Sequence, residues 1–434
     1  MTHPRLGGFG VFALDTVLQV GGQPPPVIGR VAVVRLTMHD FRCHRFLRLD
    51  LGVGPMTGPG ALPVVLTGAN GTGKTSVLEA LSLLMPGRGL RRARLGDMLR
   101  RDAGATAPAW SVAARLATPS GPTDVVTGFA AAQEGSAPVR ERRQISLDGQ
   151  PRRPGDARAV NAVWLTPEMD RLFVEGPSGR RRFLDRIVWG LDPTHATRVA
   201  AFERAMQQRA VLLRQHQADP AWLSALEETM AAHGVAVAAA RRLTADQLSD
   251  VAVAAAPPFP PARIACSGPV DAWLDEGPAL AAEERLKAAL ALSRRADAET
   301  GGAAVGPHRT DMMVLHAASG RAARDCSTGE QKMLLIALVL AGARLQCNEG
   351  AVVPLILLDE VVAHLDARHR EAVFAAAAAT SAQVWYVGTD RRPFEPLTGE
   401  AHFVVMEEAS RASTAIAAAA GLESDATDDR ERDR

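Results

Sequence analysis

The eight residues Gly68-Ala69-Asn70-Gly71-Thr72-Gly73-Lys74-Thr75 match G-x-x-x-x-G-K-[ST] at every fixed position. They constrain the fold more than any other stretch of the chain. The pattern carries meaning only between a strand and a helix. Pro63-Val64-Val65-Leu66-Thr67 reads as a short buried strand ahead of it. Ser76 to Met85 reads as a helix behind it, with Val77, Leu78, Leu81 and Leu84 on overlapping apolar faces. In that setting the glycines let backbone N–H groups curl around phosphates, and the helix start adds partial positive charge. Lys74 is then placed for the β- and γ-phosphates of ATP, and the Thr75 hydroxyl for Mg²⁺. Ser76 follows as the last residue of this cofactor-binding set.

Two further patterns give the loop a context. Pro354 to Leu358 is an apolar run that ends in Asp359-Glu360. Such a run is also how an ordinary strand meets solvent. Paired with the phosphate loop, it reads as a central strand bearing an acid at its C-terminal edge. Asp359 is placed to hold Mg²⁺ directly or through water, and Glu360 to orient or deprotonate an attacking water. Ser327-Thr328-Gly329-Glu330-Gln331 has the form of a capping box before an apolar helix, with Leu334 to Leu340 as core. A helix start is also an anion site, and both readings can hold at once.

The order of patterns suggests one nucleotide-binding head split by an insertion. Residues 1–30 are rich in Gly and Pro and read as a flexible N-terminal extension. Residues 31–165 give the first part of the head. There Val31 to Leu36 is a first strand, Phe46 to Leu51 pairs with it as a hairpin, and short β-like runs such as Ser111 to Ala117 and Val139 to Leu147 predict a small antiparallel β subdomain. Residues 166–300 read as a helical arm. Phe183, Leu184, Ile187, Val188 and Leu191 mark one helix, and Val199, Phe202, Met206 and Leu213 the next. Asp219-Pro220 caps and opens a third, with Trp222, Leu226 and Met230 on one face. A proline run at 257–261 breaks the helical pattern, and a further helix is predicted from about Pro278 to Thr300. Residues 301–410 return to strands as the second part of the head. Residues 411–434 read as a disordered tail.

Composition narrows the class without naming it. The 434 residues are 47% apolar, enough for a large core, and the net charge of +1 neither argues for nor excludes nucleic acid. Cys43, Cys266, Cys326 and Cys347 form no CxxC pair, so neither zinc nor a disulfide framework is signalled. No apolar run is long enough for a membrane span, and no export signal opens the chain, which gives a cytoplasmic expectation. Lys74, Lys287 and Lys332 are the only lysines among 49 Lys and Arg.

These motifs resemble the ABC/SMC-type ATPase heads, and within them the RecF family. Asp40-Phe41-Arg42 is similar to that family's opening Phe-Arg turn, which implies Arg42 as a nucleotide contact. Ser327-Thr328-Gly329-Glu330-Gln331 resembles the signature, which implies that Ser327 and Gly329 meet the γ-phosphate of ATP held by a second copy. Ala363-His364-Leu365-Asp366 is similar to the D-loop. Gly176 to Arg186, with Arg180, Arg181, Arg182 and Arg186, resembles the family's Arg-rich arm motif, and Gly306-Pro307-His308-Arg309 its Gly-Pro-His-Arg segment. The departures are Ser76 in place of Asn, Glu360 in place of Asp, and no clear Q-loop glutamine or switch histidine.

The resemblance implies an α/β fold: an ABC-type P-loop ATPase head with a small antiparallel β subdomain and an inserted helical arm. It implies an ATP-dependent homodimer with weak, DNA-stimulated ATP hydrolysis used as a timer. It also implies binding to duplex DNA at junctions with single strands, and work with RecR and RecO in loading RecA. The four arm arginines suit DNA phosphates; they equally suit a solvated helix start with internal ion pairs, Asp185 among the partners. A transporter motor would share the ATP motifs with a much shorter span between phosphate loop and signature. A small-molecule kinase would leave the signature without a purpose. A scaffold that binds ATP without turnover stays open.

Overall fold

The computed structural model describes residues 31–52, 61–102, 105–131, 142–152, 159–215, 219–350, 352–363, 365–407, 413–416 and 418–419. The extension expected at 1–30 lies outside them, as do residue 364 of the D-loop and 420–434 of the expected tail. The chain opens with β1 (Ala32–Phe41), β2 (His44–Asp50), β3 (Val64–Thr67) and α1 (Lys74–Ser82). The short strands β4 (Arg101–Asp102) and β5 (Ala105–Thr106) follow, then β6 (Ala109–Thr118), β7 (Gly121–Ala130), β8 (Gln144–Leu147), β9 (Gln150–Arg152) and β10 (Asn161–Leu165). The insertion holds α2 (Pro177–Leu191), α3 (His195–Leu213), α4 (Pro220–Val253), β11 (Ala262–Ser267), α5 (Pro269–Glu276) and α6 (Ala279–Thr300). The return brings β12 (Asp311–His316), α7 (Thr328–Glu349), β13 (Pro354–Asp359), α8 (Ala367–Ala378), β14 (Val384–Gly388), β15 (His402–Val405), β16 (Ser413–Ile416) and β17 (Ala418–Ala419).

The central sheet has the order β10-β13-β14-β3-β15-β17, parallel except where β17 meets β15. Its strands are apolar on both faces because both are covered, as parallel sheets require. Val64 and Leu66 of β3 face the cluster built with α1, β1 and β6, whereas Val65 faces α7, α2 and α4. α1 and the antiparallel sheet β16-β2-β1-β6-β7-β8-β9 thus close one face, and helices close the other. The arm has a core of its own, with Phe202, Leu223, Met230, Leu286 and Leu290 at its centre.

The α/β architecture, the β1–β2 hairpin, the antiparallel sheet and the helical insertion match the sequence expectations. Three points differ. The insertion is not all helical: β11 pairs antiparallel with β12 along all six residues, and alternate residues Ala262 and Ile264 turn inward. Asp219 does cap α4, accepting from Ala221 N–H at 2.8 Å, but the buried stripe is Leu223, Leu226 and Met230, and Trp222 is 57% exposed. The stretch expected to be a disordered tail from 411 contains β16, which lies parallel to β2, and β17.

Candidate functional site

The phosphate loop leaves β3 and enters α1 at Lys74. Its three glycines stand at positive φ: Gly68 at 146°, Gly71 at 86° and Gly73 at 88°. Two of them also have no room for a side chain. A Cβ on Gly68 would fall 2.2 Å from the Met406 carbonyl, and one on Gly73 would fall 2.2 Å from His44 Nε2. The Thr72 hydroxyl donates to the Ala69 carbonyl at 2.9 Å and braces the turn. Ala69 and Asn70 are exposed at its rim. The Lys74 ammonium donates to the Gly68 and Ala69 carbonyls at 2.7 Å each. It is therefore drawn back over the loop, where a phosphate would lie.

β13 is separated from β3 by β14 alone, so both strands end at the same edge of the sheet. There the Thr75 hydroxyl donates to Asp359 Oδ1 at 3.3 Å. Burial pushes the Asp359 carboxyl up to about 6, and the charge of Glu360 adds to the shift. Glu360 sits at φ 53°, a strained position for a residue with a side chain, and its N–H donates to the Val387 carbonyl at 3.0 Å. Burial lowers the Lys74 pKa, while Glu360 and Asp359 oppose that shift. A hydroxyl and a carboxylate oxygen side by side in a half-buried crevice are hard oxygen donors of the kind Mg²⁺ takes, so Thr75 and Asp359 fit the metal. Neither Gly388-Thr389-Asp390 beyond β14 nor the residues after β10 supply a histidine or glutamine.

Several neighbours of the site carry no motif of their own. A cavity of about 70 Å³ beside Asp359 and Glu360 is lined by Thr166, Asp170 and Lys332. Lys332, one of the three lysines, comes from the signature helix α7 and faces Asp170 at 3.9 Å. The β1–β2 turn rests on the loop through His44, with Nε2 at 3.3 Å from the Gly73 carbonyl. Burial lowers the His44 pKa. Arg42, at φ 57° in that turn, is held by the buried carboxylate of Glu79 at 2.8 and 2.6 Å, and donates its third nitrogen to the Asp97 carbonyl at 2.8 Å. Its fork therefore ties the turn to α1, the helix that carries Lys74 and Ser76.

The signature residues stand apart from this loop. Ser327 N-caps α7 in a full capping box, accepting from Glu330 N–H at 3.3 Å and donating its own N–H to Glu330 Oε2 at 2.8 Å. Ser327 and Gly329 are exposed, and the space beside Gly329 is open. The arm arginines divide. Arg180 makes a bidentate pair with Asp311 at 2.7 and 2.9 Å and donates to three carbonyls besides. Arg181 donates to the Thr310 carbonyl at 2.8 Å. Arg186 lies 3.3 Å over the Trp164 ring, and burial draws its pKa down to about 9. Arg182 is exposed. Asp185 pairs with none of these four; it takes Arg241 at 2.7 and 2.8 Å and His195 at 2.8 Å. Arg241 in turn donates to the Pro307 carbonyl at 2.6 Å. The two segments that carry the resemblance thus clasp each other.

Residues 61–409 match the RecF/RecN/SMC N terminal domain. The chain is 40% identical over 387 residues to the DNA replication and repair protein RecF of Mesorhizobium japonicum, which covers 86% of this chain and 96% of that one. It is 41% identical over 381 residues to the protein of the same name from Caulobacter vibrioides, covering 85% and 95%. A solved structure of the recombination mediator protein RecF-ATPrS in the RecFOR pathway superposes with a TM-score of 0.74 at 18% identity, over 91% of this chain and all of that one. At that identity the likeness is one of fold. The fold is an ABC-type ATPase head with an antiparallel β subdomain and an inserted arm.

Proposed function

This chain belongs to the RecF family, and from that premise we propose that it is an ATP-dependent DNA-binding protein of recombinational repair and replication-fork maintenance. It acts at gapped DNA, where single strands join duplex, and promotes RecA loading together with RecR and RecO. Thr75 and Asp359 would hold Mg²⁺, which would supply neutralisation of charge on the phosphates. Lys74 turns from its own loop carbonyls to the phosphate oxygens, and Glu360 orients the attacking water. Ser327 and Gly329 complete the site of a second copy, so ATP makes the dimer and slow hydrolysis releases it from DNA.

The observation that supports this most is the meeting of Thr75 and Asp359 at 3.3 Å across residues 284 apart in sequence, with Lys74 drawn over the same loop. Relatives at 40% identity are named for DNA replication and repair, and the solved relative is described with a nucleotide and as a recombination mediator. The test is binding of the purified chain to gapped and to fully duplex DNA, with ATP–Mg²⁺ and without. Tighter binding to the gapped substrate in the presence of ATP is expected. Binding that ignores both the gap and the nucleotide would remove the reading.

A further inference from the structure

A large groove in the head plays no part in the nucleotide site. It encloses about 1380 Å³ over the antiparallel sheet, bounded by the segment that follows α1 and by β6 to β9. Trp110 and Phe129 give it a buried apolar floor. Its rim is arginine: Arg88 and Arg94 from the segment after α1, Arg142 ahead of β8 and Arg152 at the end of β9. No Asp or Glu lines it among the described residues. The whole chain carries 49 Lys and Arg against 48 Asp and Glu, so a one-sided lining is a local segregation of charge. All four rim arginines are exposed. Some exposed arginines find carboxylates, as Arg115 finds Asp124 at 2.8 Å; none of the ion pairs among the described residues includes these four.

The rim is fixed. Beneath it Arg143 donates to the Leu83 and Met85 carbonyls at 3.1 and 2.8 Å, which locks the sheet to the end of α1. Arg92, also exposed, lies in the same segment after α1, but Glu203 stands near it in charge terms beside Arg88 and Arg182. Like charges gathered on one rim repel unless an anion neutralises them. Guanidinium forks match phosphate oxygens in pairs.

We propose that Arg88, Arg94, Arg142 and Arg152 form one track along the sheet groove that takes the phosphodiester backbone of DNA. The proposal rests on the DNA-binding reading above and gives it a path. The arm arginines are not part of this path: Arg180 and Arg181 are engaged within the chain, Arg186 is stacked on Trp164, and Arg182 does not line the groove.

The experiment uses the full chain with ATP–Mg²⁺ and a labelled gapped duplex, read by fluorescence anisotropy over a range of salt. Arg88→Glu/Arg94→Glu is expected to weaken binding more than about tenfold and to reduce the slope of log K on log salt by about two. Arg88→Gln/Arg94→Gln is expected to lower the slope likewise with a smaller loss of affinity. The melting temperature and the binding of a fluorescent ATP analogue are followed in parallel, and both are expected to match the wild type. Wild-type affinity and slope in both variants, with the wild type binding DNA, would overturn the track and leave the DNA-binding reading standing. A wild type that binds no DNA removes both. A polyglutamate peptide serves as a second ligand. Its loss in the variants with DNA binding intact assigns the groove to an acidic protein partner and overturns the proposal.

Discussion

Lys74 makes two 2.7 Å hydrogen bonds to carbonyls of its own loop, and the carboxylates of Glu360 and Asp359 stand near its charge. A phosphate offers that ammonium stronger, charge-assisted acceptors than a carbonyl does. Losing them costs up to about 3 kcal/mol, on the order of a hundredfold in affinity. Lys74→Ala is therefore expected to abolish ATP binding at micromolar protein in a calorimetric titration, and retained binding would remove the loop assignment. Glu360 makes a different contribution. It touches no phosphate-loop residue by hydrogen bond, and its strained backbone holds it at the sheet edge next to Asp359. Glu360→Gln is expected to keep ATP affinity and to slow phosphate release in a single-turnover assay by about 10²-fold or more, the scale of general-base catalysis. Equal turnover in the variant would move the base elsewhere. The residues behind both predictions were legible in the sequence because each lies in a contiguous motif beside the strand that delivers it. His44, Thr166 and Lys332 were not. They meet the site only because the β1–β2 turn, the end of β10 and α7 fold onto it, and no local spacing encodes that approach. Arg42 was legible as a turn residue, but its grip on Glu79 depends on a carboxylate 37 positions away.

At the scale of elements, the arm is fastened by charge as well as by packing. Its interior holds Arg209, fully buried, between Glu227 at 2.9 Å and Asp297 at 2.7 Å. Its root is fastened by Asp185, which accepts from Arg241 and bonds His195. Burial alone would push the Asp185 carboxyl up; the Arg241 charge and the His195 hydrogen bond override it and hold the carboxyl down at about 2. A folded-state pKa below the unfolded value gives stability that is present above the unfolded pKa and lost as pH falls through the folded one. The window runs from about pH 4 down to about pH 2. At about 1.4 kcal/mol per unit, the contribution at neutral pH is about 2 kcal/mol. Asp185→Asn is thus expected to lower the urea midpoint at pH 7, with the gap to wild type narrowing as the pH falls below 4. A gap that does not change with pH would mean that packing, not charge, fastens the root. Arg209→Ala, which leaves the buried Asp297 without its cation and Glu227 with Arg294 alone, is expected to cost about 3–5 kcal/mol in the same assay. Helical period located α2 and α3, and the Asp-Pro cap located the start of α4. The same period misplaced Trp222, because one more residue of rotation along a 34-residue helix decides which side meets α3 and α6. β11 escaped notice because its six residues acquire strand character from β12, which lies 44 positions later at the nearest paired residues.

At the scale of the whole molecule, the order α/β, helical, α/β was legible from changes of period along the chain. How the two parts of the head rejoin was legible only as an inference from the motifs. β10 and β13 lie side by side although the entire arm separates them, and it is this pairing that closes the head around the site. The signature then poses a question of number. Within one chain the capping box satisfies Ser327 and Glu330, yet Ser327 to Gly329 face solvent, and no hydrogen bond among the described residues joins them to the phosphate loop. A helix start keeps N–H groups without partners inside the helix, and these favour an anion. If ATP joins two copies as proposed, a γ-phosphate held by the second copy would supply one, and the twofold relation would make two such sites at once. The chain is therefore expected to sediment as a monomer alone and as a dimer with ATP–Mg²⁺. Glu360→Gln should hold the dimer longer, because ATP persists in it. Ser327→Arg should remain a monomer while binding a fluorescent ATP analogue with wild-type affinity, since the side chain it alters lies outside the monomer's own loop. A wild-type monomer in saturating ATP–Mg²⁺ would separate the signature from nucleotide altogether and leave Ser327 as a helix cap alone.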